Sequence, residues 1–394
     1  MTLSKSYTFV DLFAGAGGFA EGFYQENFYA LSHIEVDNYA CDTLKSRMKF
    51  YNYPKNEIDK IVPIDMTRND ILDIIDSQIA NQNVDVIIGG PPCQSFSSHG
   101  KARDKYSMQK DPRNYLYESY MKILNHCNPK FFVFENVEGI LSTRIKGKLL
   151  IEKIFADMKK NYKIIENKNK IIQNAYDYGV PQDRKRVIII GVRNDLDYID
   201  VNDIYEDLEK IKINQKKFTV KDAIFDLPKL KPGEGEEIVK YKSNIKNEYL
   251  SKIKEPGCNL IHNHVARTHN EIDQARYLYM SKNKWTLKEL YENKFELIHE
   301  KKRKFNNSYS VQYFEKPSKT IIAHLFKDGN QFIHPDYKQQ RTFTAREAAR
   351  IQSFPDDFIF PCSRTQQFLQ IGNAVPPLMA KHIASVLKKY LEKI

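Results

Sequence analysis

The segment Gly89 to Ser97, GGPPCQSFS, sets a cysteine behind two prolines at the end of the apolar run Val84 to Ile88. A thiol held on a stiff turn, where a buried strand emerges, meets an electrophile at little ordering cost. Cys93 therefore reads as a nucleophile, with a buried loop thiol as the alternative for the same residues. A second reactive group stands in FFVFENV, where Glu135 follows four apolar or aromatic residues. Desolvation at such a strand end favours the neutral acid, the form a proton donor needs; a capping or salt-bridged glutamate is the plainer reading. In QDRKR, Arg184 and Arg186 alternate just before an apolar run and are expected on one side of a strand. Two permanent cations there suit a carbonyl gaining negative charge, or a phosphate, and a solvated basic strand end is the alternative.

A third constellation lies near the amino terminus. DLFAGAGGF places Gly15, Gly17 and Gly18 in a turn that enters a helix near Phe19, and Glu35 closes the next apolar run. Small residues let a cofactor approach the backbone, and an acid so placed binds ribose hydroxyls. GAGG is too compressed for the dinucleotide fingerprint, so a nicotinamide cofactor fits poorly. A cofactor with an adenosine and no pyrophosphate, such as S-adenosylmethionine, needs only the turn and the acid; a turn kept for packing alone is the structural alternative. Asp65 in VPIDMT is expected to end a third strand.

These residues need a scaffold that gathers strand ends. Thr8 to Phe13, Ala30 to Val36, Val84 to Gly89, Phe131 to Glu135 and Val187 to Val192 read as strands. Gly18 to Gln25, Tyr39 to Phe50, Tyr115 to Cys127 and Leu149 to Asn161 carry apolar residues at helical spacing. This alternation predicts an α/β domain with a mostly parallel sheet, reactive groups at the strands' carboxyl ends. After about Asp195 the pattern gives way to lysine- and tyrosine-rich sequence with breaks at Pro228, Pro232 and Gly233, which marks a second domain. Helical periodicity returns at Thr344 to Ser353 and at Leu378 to Leu391, the last helix expected to pack on the first domain.

With 394 residues, 41% hydrophobic and 28% charged, the chain can bury a full core and is neither fibrous nor disordered. Its five cysteines lack close pairs, which argues against a disulfide framework. No apolar stretch reaches membrane-spanning length and no signal peptide is visible, so a cytoplasmic location is expected. A net charge of +11 favours a polyanionic partner but is weak evidence by itself. Cys258, His262, His264 and His269 match no standard zinc spacing, so no metal is expected.

In order, the chain carries AGAGGF, Glu35, Asp65, PPCQSFS, ENV, QDRKR, TAREAARIQSFPDDF and QIGNAVPP. That series closely resembles the bacterial DNA cytosine-5 methyltransferases of the type II restriction-modification kind, over residues 7 to 193 and 317 to 386. The resemblance implies a Rossmann-like S-adenosylmethionine-dependent methyltransferase domain over residues 1–195 and 366–394, with a smaller target-recognition domain over 196–365. It implies that Cys93 adds to carbon 6 of cytosine, that Glu135 engages ring nitrogen 3, and that Arg186, with its neighbour Arg184, meets the base carbonyl. Phe13, Gly15, Gly17, Gly18, Phe19, Glu35, Val36, Asp65, Met66, Pro92, Leu116, Asn373 and Val375 correspond by position to the cofactor pocket. A base inside a duplex must be flipped out to be reached, with a loop closing behind it. Ser95 to Arg113 is the expected loop, with Gly100 as its hinge and Ser97, His99 and Lys101 facing DNA. Lys301, Lys302, Arg303 and Lys304 are expected at phosphates, a solvated charge run being the alternative, and Thr320 resembles the threonine that anchors the recognition domain to the flipped nucleotide. Arg346, Glu347 and Arg350 in the REAAR helix read as bracing.

The implied partner is double-stranded DNA, met by a monomer. A cognate restriction endonuclease would act on the same site without a stable complex. Relatives with this core that methylate transfer RNA form a first alternative, against which the long insertion before TAREAAR argues. A catalytically silent DNA-binding paralogue is a second, against which intact Cys93, Glu135 and Arg186 argue.

Overall fold

The computed structural model describes residues 6–92, 116–145, 147–240, 247–254, 259–298 and 308–394. The chain forms two compact units. One comprises residues 1–178, 185–215 and 377–394, the other residues 179–184 and 216–376. The helix Val201–Asn214 thus falls into the first unit and Arg364–Asn373 into the second, so the units divide elsewhere than at 195/196 and 365/366.

The first unit is built on a seven-stranded sheet ordered β2-β1-β3-β4-β10-β7, with β8 also on β10. The strands are β1 (Thr8–Leu12), β2 (Tyr29–Ile34), β3 (Val86–Gly89), β4 (Phe131–Asn136), β7 (Tyr162–Lys163), β8 (Ile172–Asn174) and β10 (Lys185–Arg193). β1, β2, β3 and β4 run parallel; β10 runs antiparallel to β4, so it begins where β4 ends. Their sequences are near-continuous apolar runs because both faces are covered. Phe131 to Phe134 and Val187 to Ile190 are all fully buried. A fourth parallel neighbour is vestigial, Glu35 and Pro63 forming one isolated bridge where a third strand ending at Asp65 was expected.

Helices Gly18–Gln25, Asn38–Phe50, Leu116–Cys127 and Leu150–Met158 lie within a few residues of their expected spans. The terminal helix Pro377–Leu391 packs on Gly18–Gln25. A Cβ at Gly22 would sit 2.2 Å from the Lys381 nitrogen, so only glycine permits this crossing. A short hairpin, β5 (Arg144–Ile145) with β6 (Lys148–Leu149), follows the 3-10 turn Glu138–Ser142.

In the second unit, β11 (Gly235–Lys240) pairs antiparallel with β12 (Leu260–Val265). A separate core of Tyr277, Met280, Leu287, Leu290, Leu297, Tyr309, Val311 and Ile333 gathers around the helices Glu271–Asn283 and Leu287–Asn293. β9 (Gln182–Asp183) pairs parallel with β13 (Ser318–Lys319). The REAAR helix, Ala345–Ile351, is buried on every side and starts with a reciprocal capping box between Thr344 and Glu347. Arg350 bridges Asp226 and Asp356 at 2.7 Å, and Arg346 binds the carbonyls of His262, Pro355 and Phe358, so both arginines brace the unit as expected. Among the described residues no helix is long and apolar enough to cross a membrane.

Candidate active site

The glycine turn after β1 is held by the acid at the end of β2. The Gly15 N–H donates to Glu35 Oε2 at 2.7 Å, while the Val36 and Asp37 N–H groups both donate to Oε1 at 2.8 Å. Burial pushes the Glu35 carboxyl above its ordinary pKa, and these backbone donors oppose that rise. Phe13 takes φ 58° and Gly15 φ 54°, so two left-handed residues bend the chain here. For phenylalanine that conformation is strained, and such strain collects at functional sites.

A Cβ built at Gly15 would meet nothing within 4 Å, so the turn borders open space. Val36 is 63% exposed beside it, a large apolar side chain with no cover of its own. Asp65 is exposed too, its carboxyl lowered by the N–H and hydroxyl of Thr67. Glu35 Oε2 takes one donor where Oε1 takes two, which leaves acceptor capacity for a hydroxyl. An open glycine turn, an acid with a spare lone pair and an exposed apolar face fit the sugar and base of an adenosine. Phe19 and Met66, also assigned to this pocket, are buried; Phe19 stacks edge-on with Phe23 and belongs to the core. Leu116 and Pro92 are half-buried. Asn373 and Val375 lie in the second unit.

At the ends of β4 and β10 the register sets Ile188 opposite Glu135, so Arg186, two residues earlier, is the diagonal neighbour of Glu135 on the same face. Arg186 Nε lies 3.0 Å from Glu135 Oε1, with both side chains largely buried. Burial pulls the Arg186 guanidinium below its ordinary pKa and the Glu135 carboxylate supports its charge. Glu135 thus shares its site with a guanidinium, the salt-bridged arrangement that was the plainer reading of its sequence.

The chain leaving β3 runs directly over this pair. A Cβ on Gly90 would stand 2.6 Å from Glu135 Oε2, so glycine is what lets the loop pass. Asn136, buried beside Glu135, donates from Nδ2 to the Pro91 carbonyl at 3.0 Å and accepts the Val137 N–H at 2.9 Å. It ties Pro91 to the strand that carries Glu135. Asn136 was not singled out from sequence; the only signal was its place in ENV. Cys93 itself lies outside the described residues, as do Ser97, His99, Lys101, Lys301, Lys302, Arg303, Lys304 and Cys258.

Arg184 departs from expectation. It falls between β9 and β10 rather than within one strand, and its buried guanidinium donates to the carbonyls of Ile321 (2.7 Å), Gly372 (3.2 Å) and Ala374 (2.9 Å). The two arginines do not share a strand face. Thr320 donates its hydroxyl to the Asp183 carbonyl at 2.7 Å, fixing its loop to the segment just before Arg184. His264 is buried, bonded to Thr344 Oγ1 and to the Pro228 carbonyl, and His269 lies near Thr342. Among the described residues no group of three or more His, Cys, Asp or Glu side chains is placed to hold a metal.

The model of the C-5 cytosine-specific DNA methylase family matches residues 7–389. The chain belongs to that family. This DNA cytosine-5 methyltransferase is 37% identical to the type II methyltransferase M.DdeI of Desulfomicrobium norvegicum, across 98% of the chain and 89% of the relative. It is 33% identical to the type II methyltransferase M.Bpa9945I of Bacillus paralicheniformis, across 96% and 98%. Among solved structures, a protein described as a prophage-encoded DNA modification methyltransferase (E. coli) superposes with a TM-score of 0.73 at 26% identity, covering 98% of this chain and all of the other. The α/β fold expected from sequence is the fold observed.

Proposed function

We propose that this methyltransferase transfers a methyl group from S-adenosylmethionine to carbon 5 of a cytosine within a specific short sequence of double-stranded DNA, as the protective partner of a restriction endonuclease. The observation that carries the reading is the Glu135–Arg186 pair directly beneath the Gly90-Pro91 turn that leads into Cys93. Three groups of different chemistry then converge on one base. S-adenosylmethionine, when bound, supplies an electrophilic methyl on a sulfonium. Glu35, Gly15, Val36 and Asp65 would hold its adenosine.

Carbon 5 of cytosine is too weak a nucleophile to take a methyl unaided. The Cys93 thiolate adds to carbon 6, forming a carbon–sulfur bond and pushing the ring electrons toward nitrogen 3, where Glu135 provides the hydrogen bond and the proton. Arg186 spends Nε on Glu135 and Nη1 on the Lys185 carbonyl, so a base carbonyl would be met by its remaining Nη2. Carbon 5, made enamine-like, would take the methyl as its bond to the sulfonium sulfur breaks, the neutral thioether being the leaving group. Loss of its proton to a base returns the electrons, breaks the carbon–sulfur bond and frees the thiolate. A base in a duplex must first leave the stack, at a cost of about a few kcal/mol.

In this reading the first unit does the chemistry and the second reads the sequence. Thr320, whose hydroxyl is held by the Asp183 carbonyl within the second unit, is the group assigned to the backbone of the flipped nucleotide. The test is transfer of labelled methyl to unmethylated genomic DNA by wild type and Cys93→Ser, with bisulfite sequencing of the product. Modified cytosines in one short motif, absent with the variant, are expected. Binding without modification, or modification of transfer RNA alone, would overturn the proposal.

A further inference from the structure

The two ends of the first unit's sheet differ in how their cations are partnered. At the end where β3 and β4 start and β10 finishes, cations are matched by carboxylates: Lys130 with Asp85 (2.7 Å), Arg193 with Asp195 (2.7 Å), Lys160 with Asp157 (2.8 Å) and Lys159 with Glu166 (2.6 Å). At the other end, which carries Glu135, Arg186 and the Gly90-Pro91 turn, Arg144, Lys148 and Lys185 are exposed and make no ion pair with a described carboxylate. Glu138 is an exposed acid at this end, and its charge is felt by Arg186.

Arg144 and Lys148 stand on the β5–β6 hairpin, which is anchored rather than loose. The Leu150 N–H donates to the Thr143 carbonyl at 2.9 Å across its base, and the Thr143 hydroxyl donates to the Gly139 carbonyl at 2.9 Å. Arg144 Nη1 donates to the Gly147 carbonyl at 2.9 Å, and Gly147 takes φ 81° to make the turn. The 3-10 turn Glu138–Ser142, which joins Glu135's strand to this hairpin, packs against β10, whose first residue is Lys185. The chain therefore spends hydrogen bonds on holding a doubly charged hairpin here, and among the described residues no carboxylate forms an ion pair with either charge.

We propose that Arg144, Lys148 and Lys185 form a phosphodiester-binding rail, which holds the backbone of the DNA beside the nucleotide that enters over Glu135 and Arg186. This rests on the proposed DNA cytosine chemistry, since that chemistry requires a polyanion to lie along this edge. Such contacts fix register without reading bases. Each phosphate neutralised contributes about −0.9 to the slope of log K against log salt.

The test uses the full-length protein and a linear fragment of unmodified plasmid DNA, with binding measured across a salt series and methyl transfer measured in the same samples. Replacing Arg144→Ala and Lys148→Ala together should make the slope shallower by about 2, and adding Lys185→Ala by about 3, with affinity weakened alike for unrelated duplexes. Arg144→Lys with Lys148→Arg should restore most of the slope. Lys159→Ala with Lys160→Ala, past the far end of the helix Leu150–Met158 that follows the hairpin, should leave it unchanged. A triple variant that keeps the full slope while wild type methylates the fragment overturns the rail and leaves the methyltransferase reading standing. A wild type that binds with a steep slope lost in the triple variant, yet transfers no methyl, supports the rail and overturns the chemistry. A wild type that neither binds nor methylates overturns both.

Discussion

Gly90→Ala is the substitution for which the structure predicts the widest gap between folding and catalysis. The backbone at Gly90 is not left-handed, so alanine meets no conformational strain there. The added Cβ meets Glu135 Oε2 at 2.6 Å, with the next nearest atoms, the Glu135 carbonyl and Cβ, at 3.4 and 3.7 Å. Only the carboxylate has to move, by about 0.8 Å to reach ordinary contact at 3.4 Å. Turning the tip of a side chain off its rotamer costs about 1 kcal/mol, which lowers Tm by about 2–4 °C in a unit of this size. The same displacement strikes the group proposed to meet ring nitrogen 3 and loosens the 3.0 Å contact with Arg186. A misplacement near 1 Å in a catalytic constellation costs about a hundredfold, or about 2.7 kcal/mol of barrier. Calorimetry and single-turnover methyl transfer at saturating DNA and cofactor should therefore disagree sharply, with a nearly native Tm and a kcat reduced about a hundredfold. A kcat within about threefold of wild type would refute the placement of Glu135 at the reacting base.

Other perturbations probe the supports of the site. Asn136→Ala removes two buried hydrogen bonds, to the Pro91 carbonyl and from the Val137 N–H, and should cost about 2–3 kcal/mol by chemical denaturation. Asn136→Asp keeps the acceptor for Val137 but turns an oxygen on the Pro91 carbonyl, so it should be the less stable of the two; the reverse order would show that the Pro91 bond contributes little. Glu35→Gln can accept on one side only, because Oε2 takes the Gly15 N–H and Oε1 those of Val36 and Asp37. Charge-assisted bonds of this kind are worth roughly 1.5–3 kcal/mol, so calorimetry should find S-adenosylmethionine bound at least about tenfold more weakly, and unchanged affinity would remove Glu35 from the cofactor site. Burial pushes His264 down to about 4 from 6.5, so the unfolded chain takes up a proton that the folded unit refuses. His264 alone should contribute a fall of about 3 kcal/mol between about pH 6.5 and 4, beside that from His269, which burial also pushes down to about 4. His264→Gln should flatten that part of the curve, and superimposable curves would show that the histidine does not control it.

The legible parts of this protein are those in which the residue type itself supplies the physics. The strands of the first unit are apolar on both faces and could be read as runs, and the helices Gly18–Gln25 and Leu116–Cys127 announced themselves by periodicity. The position of Glu35 was legible, an acid just past the second strand whose carboxylate takes the N–H of the glycine turn. The bridge at Pro63 was overread as a strand because β-branched residues around it, Ile61, Val62 and Ile64, suit a sheet whose neighbour here pairs at one position only. Phe19 and Met66, assigned to the cofactor by position, are both buried, and a linear pattern does not distinguish a buried core side chain from one that lines a pocket. Asn136 escaped notice because its partners, the Pro91 carbonyl and the Val137 N–H, are backbone groups that leave no mark in a sequence.

The QDRKR motif shows the same limit in a sharper form. Alternation predicts that Arg184 and Arg186 share a face, and it would be right if the motif were one strand. Instead the compact units exchange between Arg184 and Lys185. Gln182 and Asp183 pair with Ser318 and Lys319, the Gln182 side chain binds the Ile321 N–H and Gln352, and Arg184 continues that pattern onto the Ile321, Gly372 and Ala374 carbonyls. One residue later the ladder with β8 begins, and Arg186 turns to Glu135. Guanidinium suits both tasks, for different reasons. Arg184 uses the number and planarity of its donors to gather three carbonyls inside one unit, whereas Arg186 retains its charge in a buried position through the carboxylate at 3.0 Å. What separates the bracing Arg184 from Arg186, proposed to meet the base, is therefore the identity of the oxygen each one meets, carbonyl or carboxylate, and that is decided by where the strand starts.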